Sequence, residues 1–376
     1  MSRQSYENQK FLRVEKKFLG LKSSGIFVNL CREIDTSVIN GILSRCGKYL
    51  QVIHLPEKRE ICALPLVAKW CPNIRVVRCS TASTSGIATL GKKCANIIEL
   101  AIFCPIYREI ESALGILFDN NKSLKRLELG SCHFSGNCLN KLPLENMEKL
   151  TIIDADEKNK FSGPNFFRGN LQLTNLHLEG YMMVSARSML AFSSCCAYLT
   201  SLSLGTDWRM RINNVDKLLS DIFCRNENIQ CLKLTGFCLM TRTCFADLNA
   251  DCLEELELKG NENLQECNFS AAISKCKNLN SLKFSNFKIG LTLTNTFGID
   301  HSFSRLPMIV SSLEDLKHLS LSCIHFESEQ YLIEAITFLK KLKTLSIWGN
   351  RGEDNIITDK FCEFIAKNLS EIVFVS

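Results

Sequence analysis

The chain has 376 residues, of which 46% are hydrophobic and 22% charged, an ordinary balance for a packed soluble protein. Its formal net charge is +6, and no run of about 18 apolar residues occurs, so a transmembrane helix is excluded. Residues 1–25 hold Arg3, Lys10, Arg13, Lys16, Lys17 and Lys22 against Glu7 and Glu15, which leaves only +2 for the remaining 351 residues. That near-neutral remainder argues against a basic stripe and hence against nucleic acid as a partner.

The first segment, 1–25, is polar and basic and lacks the apolar core of a secretion signal. Phe11, Val14, Phe18 and Leu21 follow the spacing of one helix face, which predicts a short helix capping whatever follows. From about residue 26 onward one pattern dominates. Leu-x-x-Leu-x-Leu occurs at Leu124/Leu127/Leu129, Leu173/Leu176/Leu178, Leu199/Leu202/Leu204, Leu253/Leu256/Leu258 and Leu316/Leu319/Leu321. With other apolar residues allowed, copies also start at Leu50, Ile74, Ile97, Leu150, Ile229, Leu279, Leu342 and Leu369, mostly 23 to 27 residues apart. This period is that of a leucine-rich repeat.

Within each copy the apolar positions alternate, as in a strand with one face buried. The stretch after it changes to helical spacing, as in Ile87/Leu90/Cys94, Val215/Leu218/Leu219/Ile222 and Leu332/Ile333/Ile336/Leu339. Strand and helix in alternation predict an α/β solenoid over 26–376: a horseshoe with about fourteen strands in one concave parallel sheet and helices on the convex side. Between the copies at 279 and 316 the gap widens to 37 residues, and the excess falls near 288–306 as an insertion. The chain ends on a strand-like Glu-Ile-Val-Phe-Val, an edge that would need covering.

The twenty cysteines form no C-x-x-C pair. Cys71, Cys94, Cys196 and Cys276 each stand three residues before the first apolar position of a copy, so they read as reduced, buried packing residues. A reducing compartment, cytoplasm or nucleus, is the matching expectation. The three Asn-x-Ser matches at Asn121, Asn268 and Asn368 are then coincidental. No metal or cofactor motif appears among the six histidines. Gly86 to Lys93 nearly matches a phosphate-binding loop, but Lys93 replaces the required Ser or Thr, and Ile87 and Leu90 belong to a helix face. Catalysis is not expected, and no cofactor is assigned.

The residues between the apolar strand positions point out of the sheet. They nominate a protein-binding face made of Arg78, Phe103, Arg126, Glu128, Asp154, His177, Glu179, Lys233, Glu257, Lys283, His318 and Trp348. Glu99 and Glu255 share that register. Trp208, on the loop after a strand, reads either as a rim contact or as a loop plug.

Units such as Trp70-Cys-Pro-Asn-Ile-Arg-Val-Val-Arg-Cys79 and Leu124-Lys-Arg-Leu-Glu-Leu-Gly-Ser-Cys132 join a Cys-containing return to the strand. Over residues 25–376 the chain thereby resembles the F-box/LRR proteins. The resemblance implies a substrate receptor of an SCF-type cullin–RING ubiquitin ligase, in which an F-box binds the Skp adaptor and the repeats hold the protein to be ubiquitinated. Val14-Glu-Lys-Lys-Phe18 looks like the tail of an F-box, but 25 residues are too few for the whole helical module. The expected partner is therefore a protein on the concave face of a monomer, with the Skp adaptor and cullin ligase only if an F-box lies upstream. The alternative is a free-standing repeat adaptor or inhibitor, and more remotely a nucleotide-dependent switch resting on Gly86–Lys93.

Overall fold

A computed structural model describes residues 12–15, 26–30, 36–55, 63–80, 82–103, 110–131, 135–153, 167–168, 171–180, 184–206, 211–261, 273–285, 306–322, 329–348, 358–368 and 373–375. The chain falls into two compact units, 1–183 and 184–376. Both are built from strands that follow one another in parallel, joined by helices or 3-10 turns.

In the first unit, β1 (Leu12–Glu15) runs antiparallel to β2 (Ile26–Leu30), with Leu12 opposite Leu30. The helix expected here from the Phe11/Val14/Phe18/Leu21 spacing is thus replaced, over residues 12–15, by a strand. The physical reason is the open ladder of β2, whose unpaired backbone groups accept a partner strand. Parallel strands follow: β3 (Leu50–Leu55), β4 (Val76–Cys79), β5 (Glu99–Phe103), β6 (Arg126–Gly130), β7 (Lys149–Ile153) and β8 (Asn175–Glu179). Between them lie α1 (Thr36–Cys46), α2 (Leu64–Trp70), α3 (Thr84–Lys93) and α4 (Glu111–Asn120). The β6–β7 connection uses 3-10 turns at Asn137–Lys141 and Leu144–Asn146 instead of an α-helix. Pro143 stands between them, and its missing N–H prevents a continuous helix there.

The second unit holds β9 (Ser201–Gly205), β10 (Cys231–Thr235), β11 (Glu255–Lys259), β12 (Ser281–Ser285), β13 (His318–Ser322), β14 (Thr344–Trp348) and β15 (Val373–Val375), all paired in parallel with the next. Its helices are α5 (Ala186–Cys195), α6 (Val215–Arg225), α7 (Leu306–Val310), α8 (Glu329–Phe338) and α9 (Asp359–Asn368), with a 3-10 turn at Arg242–Asp247. Twelve parallel strands, β3–β14, carry repeats with described side chains, against about fourteen expected. The fold is an α/β leucine-rich-repeat solenoid in each unit.

Repeat leucines make the core. Leu127 and Leu129 in the first unit, and Leu202, Leu204, Leu256, Leu258, Leu319 and Leu321 in the second, are buried on the inner face of their strands. Burying such a side chain contributes about 1.5–3 kcal/mol each. The helices cover that face with Ile87 and Leu90, Leu114 and Leu117, or Leu219 and Ile222.

Cysteine and asparagine fill the returns. Cys71, Cys94, Cys196 and Cys276 are buried, as their register predicts, while Cys224 and Cys362 are exposed. Burial pushes the thiols of Cys71 and Cys196 up to about 12 and those of Cys94 and Cys276 to about 11. Three buried asparagines stitch neighbouring repeats. Asn121 accepts from the Ile97 N–H at 2.9 Å and donates to the Leu117 carbonyl at 2.9 Å. Asn226 accepts from the Leu199 N–H and donates to the Cys196 and Ile222 carbonyls. Asn261 accepts from the Phe237 N–H and donates to the Leu234 carbonyl. The sequon at Asn121 therefore falls on a fully buried side chain.

Candidate protein-binding surface

The strand register sorts the outward side chains into rows that cross the strands. In the first unit one row is Glu99, Arg126, Lys149 and Asn175, and the next is Arg78, Ala101, Glu128, Thr151 and His177. In the second unit the corresponding rows are Ser201, Cys231, Glu255, Ser281, His318 and Thr344, then Ser203, Lys233, Glu257, Lys283, Ser320 and Ser346. A third row there ends on Lys259, Ser285, Ser322 and Trp348. Of the nominated residues with described positions, Phe103 and Glu179 lie in a further row of the first unit with Gly130 and Ile153, and the others lie in the rows above. Asp154 and Trp208 lie outside the described residues, as does the expected insertion except for Leu306, which begins α7.

Rows place opposite charges across adjacent strands. Arg78 donates through Nε and Nη2 to Glu99 Oε1 at 2.8 and 2.6 Å. Arg126 stands between Glu99 (3.5 Å) and Glu148 (3.3 Å), and Lys125 reaches Glu148 at 2.8 Å. The hydrogen bond from Lys125, with Arg126 close by, holds the Glu148 carboxyl below its ordinary range. Lys149 and Glu128 pair at 3.5 Å. In the second unit Glu257 sits between Lys233 (3.3 Å) and Lys283 (4.0 Å). Partial burial works against the Lys233 ammonium, but Glu257 outweighs it and keeps its pKa above the ordinary value. These pairs are largely exposed, so each adds little stability. Their effect is to hold long side chains in fixed places on the face.

Two aromatics stand out of the sheet. The Phe103 ring lies across Gly130 on the next strand, where a Cβ would meet Phe103 Cδ1 at 2.2 Å. Trp348 is 50% exposed, and its Nε1 donates to Ser346 Oγ at 2.6 Å, which lays the indole along β14. His177 pairs with Glu179 at 3.3 Å, and His318 Nδ1 meets Thr344 Oγ1 at 2.7 Å.

The network partners Glu148 and Lys125 were not nominated from sequence, because they precede the strand and only the pairing shows them reaching the face. His54, next to Arg78 in the row, was also not nominated. Burial first, then Arg78, hold its imidazole below the ordinary pKa. Gly86–Lys93 forms part of α3, with Gly86 and Gly91 buried, so it is helix and not a loop around phosphate. Among the described residues no three His, Cys, Asp or Glu side chains gather as a metal site, and no helix is long and apolar enough to cross a membrane.

No family model matches the chain. Among solved structures, it is similar to that of Rad7 in its complex with Elc1 from yeast, with a TM-score of 0.54 and 16% identity over 91% of this chain and 88% of that one. An internalin from Listeria monocytogenes matches more weakly, with a TM-score of 0.43 and 13% identity over 90% of this chain and 86% of that one. The Rad7 likeness shows a shared leucine-rich-repeat fold.

Proposed function

We propose that the chain is a non-catalytic protein-binding scaffold that holds its partner on the concave sheet face. The observation that carries this reading is the row pattern. Outward positions on strand after strand present fixed charged and polar groups, with Phe103 and Trp348 as aromatic anchors of the kind that dominate protein interfaces. The Rad7 structure, in complex with Elc1, offers a precedent for a protein of this fold within a protein assembly.

The finer reading is substrate recognition for an SCF-type ubiquitin ligase, with residues 26–376 as the repeat array and 1–25 as its cap or an F-box remnant. It rests on the sequence resemblance to F-box/LRR proteins. The second reading, a free-standing repeat adaptor or inhibitor, is favoured by one observation. Val14 and Glu15, the start of the F-box-like run, lie in β1, a strand, where an F-box would be helical.

A pull-down with purified Skp adaptor separates the two. The chain alone is expected to bind adaptor weakly or not at all. If an upstream in-frame F-box, once added, restores stoichiometric binding, the ligase reading stands. Absence of binding with every upstream extension leaves the free-standing scaffold.

A further inference from the structure

Charge along the chain is polarised in a way that a whole-chain tally hides. Residues 36–98 contain nine Lys and Arg against only Glu57 and Glu60, whereas residues 99–376 carry a net charge of −4. Within the described part of 36–98 there is no carboxylate at all, and Arg45, Lys48, Lys69, Arg75, Arg78, Lys92 and Lys93 are present.

Their placement is regular. Arg45 is in the last turn of α1, Lys69 in that of α2, and Lys92 and Lys93 in that of α3. Lys48 and Arg75 sit in the returns that lead from helix to strand, and the Asn73 side chain donates to the Lys48 carbonyl at 2.9 Å, clasping the two returns together. Successive repeats thus set these cations along one rim of the first unit. All but Arg75 are exposed. Among the described residues none of these six makes an ion pair. In later repeats, by contrast, Lys125, Lys141, Lys149, Lys233 and Lys341 each meet a carboxylate.

Helix C-termini favour cations, which accounts for some of the positions. It does not account for the missing acids. The first turns of α4, α6, α8 and α9 carry Glu111, Asp216, Glu329 and Asp359, but those of α1, α2 and α3 carry none. Two aromatics punctuate the rim. Tyr49 is 59% exposed with Lys48 Nζ 4.8 Å from its ring centre, and Lys69 Nζ lies 4.5 Å from the centre of the Trp70 ring.

We infer that this rim is a docking surface for a single-stranded nucleic acid, separate from the sheet face that holds the protein partner. Lysines dominate it, and lysine is depleted from protein interfaces but serves well as a point charge for phosphate. A periodic row of exposed cations suits a periodic polyanion, and an exposed tyrosine beside a lysine suits a base stacked near its own phosphate.

The test is fluorescence anisotropy of the full chain with a labelled 20-nucleotide oligothymidylate across a salt series. Affinity should fall with salt at a log–log slope of about −3, the release expected for roughly four phosphates at about 0.7 each. A Lys69→Glu/Lys92→Glu/Lys93→Glu variant should bind at least tenfold more weakly with a shallower slope. Tyr49→Ala should weaken binding severalfold at every salt concentration with the slope unchanged. A Lys217→Glu/Lys340→Glu/Lys360→Glu variant, which changes net charge equally but lies in the second unit, should bind like the wild type. Circular dichroism melts of each variant guard against misfolding. The inference is overturned if the wild type fails to bind at low salt, or if both triple variants weaken binding equally. It is also overturned if a 20-residue polyglutamate peptide or phosphatidylserine vesicles bind the rim more tightly than the oligonucleotide, which would assign it to an acidic protein or a membrane surface.

Discussion

Gly91 on α3 faces Leu117 on α4 so closely that a Cβ at residue 91 would stand 2.6 Å from the Leu117 Cα. The glycine in the near-match to a phosphate loop is therefore a packing residue. It lets two helices of adjacent repeats approach until backbone meets backbone.

Gly91→Ala should destabilise the protein by about 1–3 kcal/mol, because the new methyl group must push the helices apart. Gly41→Ala in α1, where nothing lies within 4 Å of the added Cβ, should instead stabilise by roughly 0.5–1 kcal/mol through helix propensity. Urea unfolding of the two variants should show shifts of opposite sign. Shifts of the same sign would refute the packing role of Gly91.

Leu127→Ala and Leu256→Ala should each cost about 2–5 kcal/mol, since both side chains are buried in the repeat core. Glu128→Ala and Glu257→Ala, one residue on and facing out, should stay within about 1 kcal/mol, the scale of exposed ion pairs. Equal losses at neighbouring positions would mean that the strand register is displaced by one.

Asn226→Ala should cost about 1–3 kcal/mol, because it removes the side-chain partner of the Leu199 N–H and of the Cys196 carbonyl in the core. Asn226→Asp should be no better, since a carboxylate cannot donate to Cys196 and Ile222. Thermal melts decide it, and a variant melting with the wild type would remove the asparagine from the account of how repeats join.

The thiols give a pH prediction. A thiol whose folded pKa lies above its unfolded value of about 9 favours the fold while it is protonated. That contribution is fully present below about pH 9 and is lost as pH rises toward the folded values of about 11 for Cys94 and about 12 for Cys71. Stability should therefore fall steeply above pH 9, and replacing Cys71 and Cys94 by Ala should flatten that fall. At neutral pH, Cys224 and Cys362 should react with a thiol reagent in the native state, and Cys71, Cys94, Cys196 and Cys276 only after denaturation. Native labelling of the buried four would contradict this.

The repeat made much of this legible. An apolar alternation fixes which face of each strand is inside, so Leu127 and Leu256 were placed in the core, and Arg126, Lys283 and Trp348 outside it, from spacing alone. Partners across strands were less accessible. Glu148 and Lys125 lie before their strands, and only the parallel register brings Glu148 to Lys125 and Arg126. The buried Asn226 carries no signal in hydrophobic periodicity, because its value lies in hydrogen bonds to backbone, two of them, at Leu199 and Cys196, one repeat away. Residues 12–15 misled because Val14 and its neighbours fit both periods, and the exposed ladder of β2 chose the strand. The charge of 36–98 was present in the sequence and was averaged away over 351 residues.

The sheet face as the protein-binding surface is tested most directly by affinity for an identified co-purifying protein, measured for Trp348→Ala, for Lys340→Ala on the helix side and for the wild type. Trp348 is half exposed and Lys340 exposed, so neither change should move the melting temperature appreciably. Loss of an aromatic anchor costs about 2 kcal/mol or more, roughly thirtyfold in Kd. The account predicts that loss for Trp348→Ala and none for Lys340→Ala, and the reverse pattern would place the partner on the helices and contradict it.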